Sequence, residues 1–416
     1  MCIIALAGVL VSPEPARGET IVLEGTIKKI KLKPANIYLL RGGVFITKKL
    51  VVKPGTQIFG LPGSFLVIDR GARLVAEGTV DAPIIFTSAA PPGTRRRGDW
   101  GGIIFNGRAP INVPGGEAEG EGDTGLYGGG ANPNPDDDSG IIKYVRVEYG
   151  GFAISPDNEL NCIAFQGVGR TTQVDFLQAA FGGDDGIEMF GGTVDLKHVV
   201  SLGASDDSID WTEGWTGRVQ FAVAQQRGDE ADNGIEADNS AENHNLTPRS
   251  SPMMANVTLI GAPSQASGPG STRGMLLRVG TWGRFRNFIV TGFKNVGLEI
   301  RDAATFSGFP NNLELRSMIF FDNKANNPNI AAGATSTAVT DFGQGIMNGA
   351  DPMLVNPFDE DSPDFRPQPG SPALAAANVA PAFNDPFFVG TDYIGAFGPG
   401  VSDNWLVGWV TYVFGN

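Results

Sequence analysis

Cysteine and histidine are scarce in this sequence: two of each in 416 residues. Cys2 lies in the leading apolar stretch, so Cys162 stands alone in the remainder and no intramolecular disulfide can form there. Basic charge is also short, with 31 Lys and Arg against 45 Asp and Glu and a net charge of −14. That balance argues against nucleic acid and anionic membrane as partners. It favours an extracellular surface, cations, or a neutral or cationic ligand. Long hydrophobic runs are missing as well. Ile3 to Val11 is apolar but too short to span a bilayer, and no later segment is long and apolar enough for a transmembrane helix. Ala16-Arg17-Gly18 follows as a small-x-small cleavage pattern, so residues 1–18 read as a secretory signal peptide and the mature chain as secreted or cell-surface. Only 18% of residues are charged, while 58 are Gly and 28 are Pro. This composition argues against long helices and for short strands joined by turns.

What the sequence does have is a phrase that returns. It reads GGDDGIEMFGG at 182–192, GASDDSIDWTEGW at 203–215 and GDEADNGIEADN at 228–239. Each copy carries two acids (Asp-Asn in the third), a small residue, isoleucine and another acid. Asp184 and Asp206 are 22 residues apart (206 − 184), as are Ile187 and Ile209 (209 − 187), whereas Ile235 follows after 26 (235 − 209). Tandem recurrence at such a period marks a solenoid.

Residues 19–350 are read as a parallel β-helix. Its first coils include VVKPGTQIFG, SFLVIDRGARLVAEG and APIIFTS, which are short alternating strands between Gly-containing turns. Residues 106–140, rich in Gly, Pro and acids, interrupt the coils as a long loop, either mobile or folded back over one face. From Ile141 the expected columns are Phe176, Leu196, Phe221, Met254, Phe285 and Leu315. Three positions on come Ala179, Val199, Ala224, Val257, Phe288 and Met318. Between them lies a polar-leaning row of Gln178, His198, Val223, Asn256, Asn287 and Ser317. A second strand per coil carries Ile187, Ile209, Ile235, Met275 and Leu298. Residues 351–416, Pro-rich and then aromatic, are assigned as a segment capping the open end, where unpaired strand edges would otherwise be exposed.

Asp99-Trp100-Gly101-Gly102-Ile103, the GDDGIE/SDDSID phrase and the stretch Asp364-Phe365-Arg366 with Gly370-Ser371-Pro372-Ala373 resemble the right-handed parallel β-helix superfamily of pectate lyases and polygalacturonases. Among its members the chain looks closest to a group of secreted bacterial β-helix proteins. The resemblance spans about residues 40–400. It implies an all-β, single-stranded parallel β-helix, and it leaves function open, since the fold hosts lyases, hydrolases, adhesins and inert spikes.

Successive coils lie about 4.8 Å apart, so stacked acids come into contact range and repel by roughly 1 kcal/mol in water, and by more where partly buried. A cation, a raised pKa or basic neighbours must relieve this. Asp184, Asp185, Glu188, Asp206, Asp207 and Asp210 are therefore the candidate metal ligands, with Ca²⁺ favoured by clustered carboxylates near turn carbonyls. The competing reading is that Asp and Gly simply build turns. Polygalacturonases place an Asp pair on neighbouring coils, and Asp206-Asp207 looks like that pair. If the protein is an enzyme, the resemblance would give Asp184, Asp185, Asp206 and Asp207 catalytic roles. It does not extend to the His-Gly and Arg-x-Lys segments, because His198 precedes Val199 and no Arg-x-Lys occurs. Pectate lyases require Ca²⁺ and an Arg base, for which Arg218, Arg278 and Arg301 qualify by residue type. Trp211, Trp215 and Glu236 are candidate ligand-binding residues, the tryptophans as platforms for a sugar ring or, alternatively, as packing under the Gly-rich turn. His198 is read as structural and His244 as a solvated loop residue. The expected function is binding of polysaccharide or a surface partner through an acidic, Ca²⁺-loaded face. The alternative is a polysaccharide lyase or glycoside hydrolase with its site on the same face.

Overall fold

Twenty-two parallel-paired strands wind into one continuous hydrogen-bonded sheet, and the only α-helix among the described residues is the four-residue Ala303–Phe306. The computed structural model describes residues 18–155, 158–262, 268–326, 329–330 and 344–415. The proposed signal peptide therefore lies outside the described residues, apart from Gly18. No helix among those residues is long and apolar enough to cross a membrane.

From Gly140 on, each coil has three faces. One long strand supplies the first two. It bends at a residue held in the left-handed backbone region, and these residues form a column: Tyr144, Phe176, His198, Phe221, Asn256, Asn287 and Ser317, all with φ between 48° and 63°. Side chains on either side of the bend both point inward, so the usual two-residue alternation becomes three. The inner row before the bend runs Val174, Leu196, Val219, Met254, Phe285 and Leu315. The row after it runs Leu177, Val199, Ala222, Val257, Phe288 and Met318. A separate short strand gives the third face, whose inner column is Leu66, Ile103, Ile163, Ile187, Ile209, Ile235, Met275 and Leu298. All of these inner residues are buried and belong to one apolar core.

The isoleucine column is the one expected. The long-strand register needs correcting in two coils. Phe176 and Phe221 do not stand in the inner row beside Leu196; Val174 and Val219 do, and likewise Leu177 and Ala222 replace Ala179 and Ala224. In an unbent strand a two-residue slip would keep the alternation, so an apolar pattern alone does not reveal the bend that takes Phe176 and Phe221 out of the inner row. Phe176 and Phe221 instead sandwich His198 at the bend, with ring centroids 4.3 and 4.9 Å away. His198 Nδ1 lies 2.7 Å from Asp175 Oδ1. Its structural reading stands, but its row at this end of the stack is aromatic rather than polar. Gln178 and Val223 belong to the next outer column.

The tail does not close the open end. Residues 351–415 run lengthwise along the outer side of the coils, over the second face and, at 381–389, over the first face beside the bend, back toward the N-terminal coils. Asn287 Nδ2 donates to Ala380 O (3.0 Å), Gln220 Nε2 to Val389 O (2.7 Å) and Gln178 Nε2 to Thr411 O (2.7 Å), while Gly415 N donates to Tyr149 Oη (3.0 Å). The outer row here is largely apolar, with Val200, Val223, Ile289 and Ile319 packed against Phe365, Phe397, Leu406 and Trp409 of the tail. The physical demand is burial of an apolar sheet face, not protection of an edge.

The 106–140 loop is folded back. Ile111 and Tyr127 pack on the outer row of the third face in the early coils, over Val67, Ile104, Ala164 and Phe190.

Candidate functional site

Beyond that loop the outer side of the third face turns acidic. The outer column reads Val67, Ile104, Ala164, Glu188, Asp210, Glu236, Leu276 and Glu299, with Glu236 following Asp210 because Ile235 pairs with Ile209. Glu188, Asp210 and Glu236 are therefore stacked at successive strand spacings.

The Asp pairs at the preceding turn split into two roles. The second member of each is buried and forms a ladder. Asp185 N–H donates to Asn161 Oδ1 (3.2 Å), Asp207 N–H to Asp185 Oδ1 (2.9 Å) and Asn233 N–H to Asp207 Oδ1 (2.5 Å). Each side-chain oxygen thus satisfies a backbone donor one coil on, which is what a buried turn requires. The turn-forming role holds for these oxygens, and the second carboxylate oxygen of each Asp remains. The first members, Asp184, Asp206 and Asp232, sit closer to solvent.

One oxygen from each member of four overlapping trios lies within 4.8 Å of the others: Asp184, Asp185 and Asp206; Asp185, Glu188 and Asp210; Asp206, Asp207 and Asp232; Asp207, Asp210 and Glu236. The expected cluster of six acids is thus brought together, and Glu236 joins it as a carboxylate. Asp232 joins it too. Its signal was in the sequence, since Asp232-Asn233 is the third copy of the acid pair.

Burial first, then repulsion by Asp210, Asp207 and Asp184, raises the Asp185 carboxyl well above the usual range. Glu188, Asp207 and Asp210 are raised in the same way, by burial and then by neighbouring acids. Asp184 is pushed up to about 7 by burial, then by Glu159 and Asp206. Glu236 also reaches about 7 through burial, with Arg278 opposing. Arg278 bonds Glu236 and, at 2.9 Å, Asp238 Oδ1, so it is the one of the three candidate arginines that borders the acids. Arg218 instead ties Asp195 to the tail residue Asp385, and Arg301 pairs with Glu299 (3.1 Å).

The tryptophans are not platforms. Trp211 and Trp215 are both fully buried in the coil interior, where Trp211 Nε1 donates to Thr281 Oγ1 and Trp215 Nε1 to Val194 O, each at 3.1 Å. Both positions follow the inward phase of their strand and turn, so the rings fill the core.

The folded-back loop adds residues that sequence spacing could not place. Glu121 reaches the acidic face and is pushed up to about 7 by burial, then by Glu159 and Glu213. Tyr127 Oη donates to Glu213 Oε2 (2.8 Å).

Hard carboxylate oxygens clustered in overlapping trios suit a hard cation such as Ca²⁺. Asp210 Oδ1, buried and without a hydrogen-bond partner among the described residues, is a free donor of that kind. No curated protein and no solved structure matches the chain. The family model described as "Pectate-lyase like beta helix domain" matches residues 25–353. That span takes in the coil stack and the whole acidic face, and the chain belongs to this pectate-lyase-like β-helix family.

Proposed function

We propose that this protein binds polysaccharide, or a surface component rich in it, at the acidic third face. A divalent cation, Ca²⁺ by preference, bridges Asp184, Asp206 and Asp232 to the deeper Asp185, Glu188, Asp207, Asp210 and Glu236. Family membership supports a carbohydrate-related role. The observation that carries the cation is the set of four overlapping oxygen trios. Without a cation these carboxylates hold protons or repel, as their raised pKa values express; with one, the oxygens become ligands. Secretion or surface display accords with extracellular Ca²⁺ sites, whose affinities lie at about 0.1–1 mM.

Calorimetric titration of chelator-stripped protein tests the cation. Heat of binding at or below about 1 mM Ca²⁺, with a melting temperature that rises on addition, is expected. No heat and an unchanged melt would leave the acids as turn-formers.

A polysaccharide-cleaving enzyme is the second reading. Asp184 and Glu121 near pH 7, and Glu236 near pH 7 beside Arg278, favour it, because carboxyls that titrate near neutrality suit proton transfer. A glycan panel scored for both binding and product release separates the two. Depolymerisation abolished by Asp206→Asn and Asp207→Asn would establish the enzyme.

A further inference from the structure

The column that ends each third-face strand holds Gly167, then Gly191, then Glu213, in register because Gln166 pairs with Phe190 and Phe190 with Thr212. All three have positive φ, at 58°, 61° and 55°. Glycine adopts that conformation freely, whereas Glu213 does so at the steric cost of its Cβ, as the residues at the long-strand bend do. Nothing in the turn itself calls for glutamate, since the glycines make the same bond: Gly167, Gly191 and Glu213 each donate their N–H to the next coil, at 2.8, 2.9 and 3.0 Å.

The strained turn forms the floor of a cavity of about 310 Å³. One wall is Asn112, Val113 and Pro114 of the folded-back loop. The other comes from the insertion after the third acid phrase, with Ser240, Glu242 and Leu246. Thr212 shares the floor with Glu213. Asn112 is only 4% exposed, and its Nδ2 donates to Asn239 Oδ1 (2.9 Å) and Pro248 O (3.1 Å). Its Oδ1 is buried with no partner among the described residues.

We propose that this cavity binds one neutral, hydroxyl-rich ring, that is, an uncharged saccharide unit. Its size falls at the lower end of small-molecule sites, which start at about 300 Å³. The lining mixes apolar surface (Val113, Pro114, Leu246) with hydroxyl and carboxyl groups (Thr212, Ser240, Glu213), which matches the two faces of a sugar ring. Two carboxyls and no cationic side chain line it, which disfavours uronates and phosphates. Glu213 is half-buried and pushed up to about 7 by burial, with the Tyr127 hydroxyl opposing, so it can offer a neutral carboxyl to a hydroxyl. The inference rests on the saccharide part of the proposed function and is independent of its cation part.

The test uses the whole chain and a set of neutral methyl glycosides (gluco, galacto and manno), with methyl glucuronide and galacturonide as charged counterparts, read by ligand-observed NMR. At least one neutral glycoside should bind, and the charged counterparts should bind more weakly. Val113→Trp and Leu246→Trp, which fill the cavity from opposite walls, should each weaken binding about tenfold or more without lowering the melting temperature beyond a few degrees. Glu213→Gln keeps a donor and an acceptor and should retain binding, whereas Glu213→Leu should lose it. Lys197→Ala, on the first face, should leave it intact. Absence of neutral glycoside binding, a preference for the uronides, or binding that survives both filled-cavity variants would overturn the proposal. If a polymer still binds in that case and is lost with Asp206→Asn, the acidic-face function stands while this cavity does not.

Discussion

The second and third faces of the coil share one backbone and the same apolar interior, yet their outer rows differ. On the second face the outer row is Gln178, Val200, Val223, Thr258, Ile289 and Ile319, and the tail lies over it, bonding the two polar members and packing on the apolar ones. On the third face the row begins in the same way, with Val67, Ile104 and Ala164 under the folded-back loop. Past the loop it becomes Glu188, Asp210 and Glu236. The chemistry of an outer position therefore follows what covers it. Covered strands are largely apolar on both sides, with Gln178 and Thr258 as polar exceptions that bond the tail. The third-face strands past the loop alternate, and here the polar partner is acidic in three consecutive coils. Such a run stores repulsion that a proton, a cation, Arg278 or the Asn161 amide bonded to Glu188 can relieve.

The contrast is broken most directly by one charge on each face. Ile289→Asp places an unpaired carboxylate beneath the tail, at a position 1% exposed. It should cost at least about 3 kcal/mol, or peel the tail away. Asp210→Asn removes a charge from the acidic ladder and should be neutral to stabilising by about 1 kcal/mol in cation-free buffer. Chemical denaturation of both variants checks this. Similar losses in the two would mean that the faces do not differ as described.

How much of this could be read in the sequence depends on the kind of signal. Ile187, Ile209 and Ile235 were legible because the phrase repeats around them, and the acid pairs were legible for the same reason. Val174 and Val219 were not, because a slip of two preserves alternation and the left-handed bend at Phe176 and Phe221 has no glycine to mark it. Trp211 and Trp215 read as well for a sugar platform as for a core. Only the phase of their strand and turn, fixed by three-dimensional pairing, sends them inward. Glu121, Tyr127 and the path of the tail depend on contacts between segments far apart in the chain, which carry no period at all.

A second, smaller effect comes from pH. The folded-state pKa values of Asp184 and Glu236 lie at about 7, above the ordinary 3.8 and 4.5, and burial is the main cause. The folded chain therefore holds more protons than the unfolded chain between about pH 4 and pH 7. Stability from these groups is fully present below the unfolded pKa values and is lost as pH rises through 7. Chelator-stripped protein should be more stable at pH 5 than at pH 8, by an amount on the order of 1–3 kcal/mol, since coupled acids share their protons. Saturating Ca²⁺ should shrink the difference, because a bound cation replaces the protons. The covered second face has no stacked acids, so Ile289→Val should shift the whole pH curve without changing its shape. A wild-type curve that is flat from pH 5 to pH 8 would remove the stored repulsion from the third face.

The smallest expected effect concerns how the tail is held. Lys197 lies on the first face beside the tail. Its Nζ donates to Phe387 O (3.0 Å) and sits 5.2 Å from the Phe387 ring centroid and 5.9 Å from that of Phe221. Burial lowers its pKa, with Asp175 opposing. One hydrogen bond and two distant ring contacts on a half-buried side chain add up to little, so Lys197→Ala should cost only about 0.5–1 kcal/mol. Arg218 is the stronger tie, since it joins Asp195 to Asp385 and stands over the same ring at 4.9 Å. If the tail is a cover held at separate points, Lys197→Ala should speed amide exchange around residues 385–389 and leave the coil strands protected. Exchange that rises equally in the tail and in Asp195–Leu202 would mean that cover and coil open as one unit. The second face would then owe its apolar row to a shared core rather than to a removable lid.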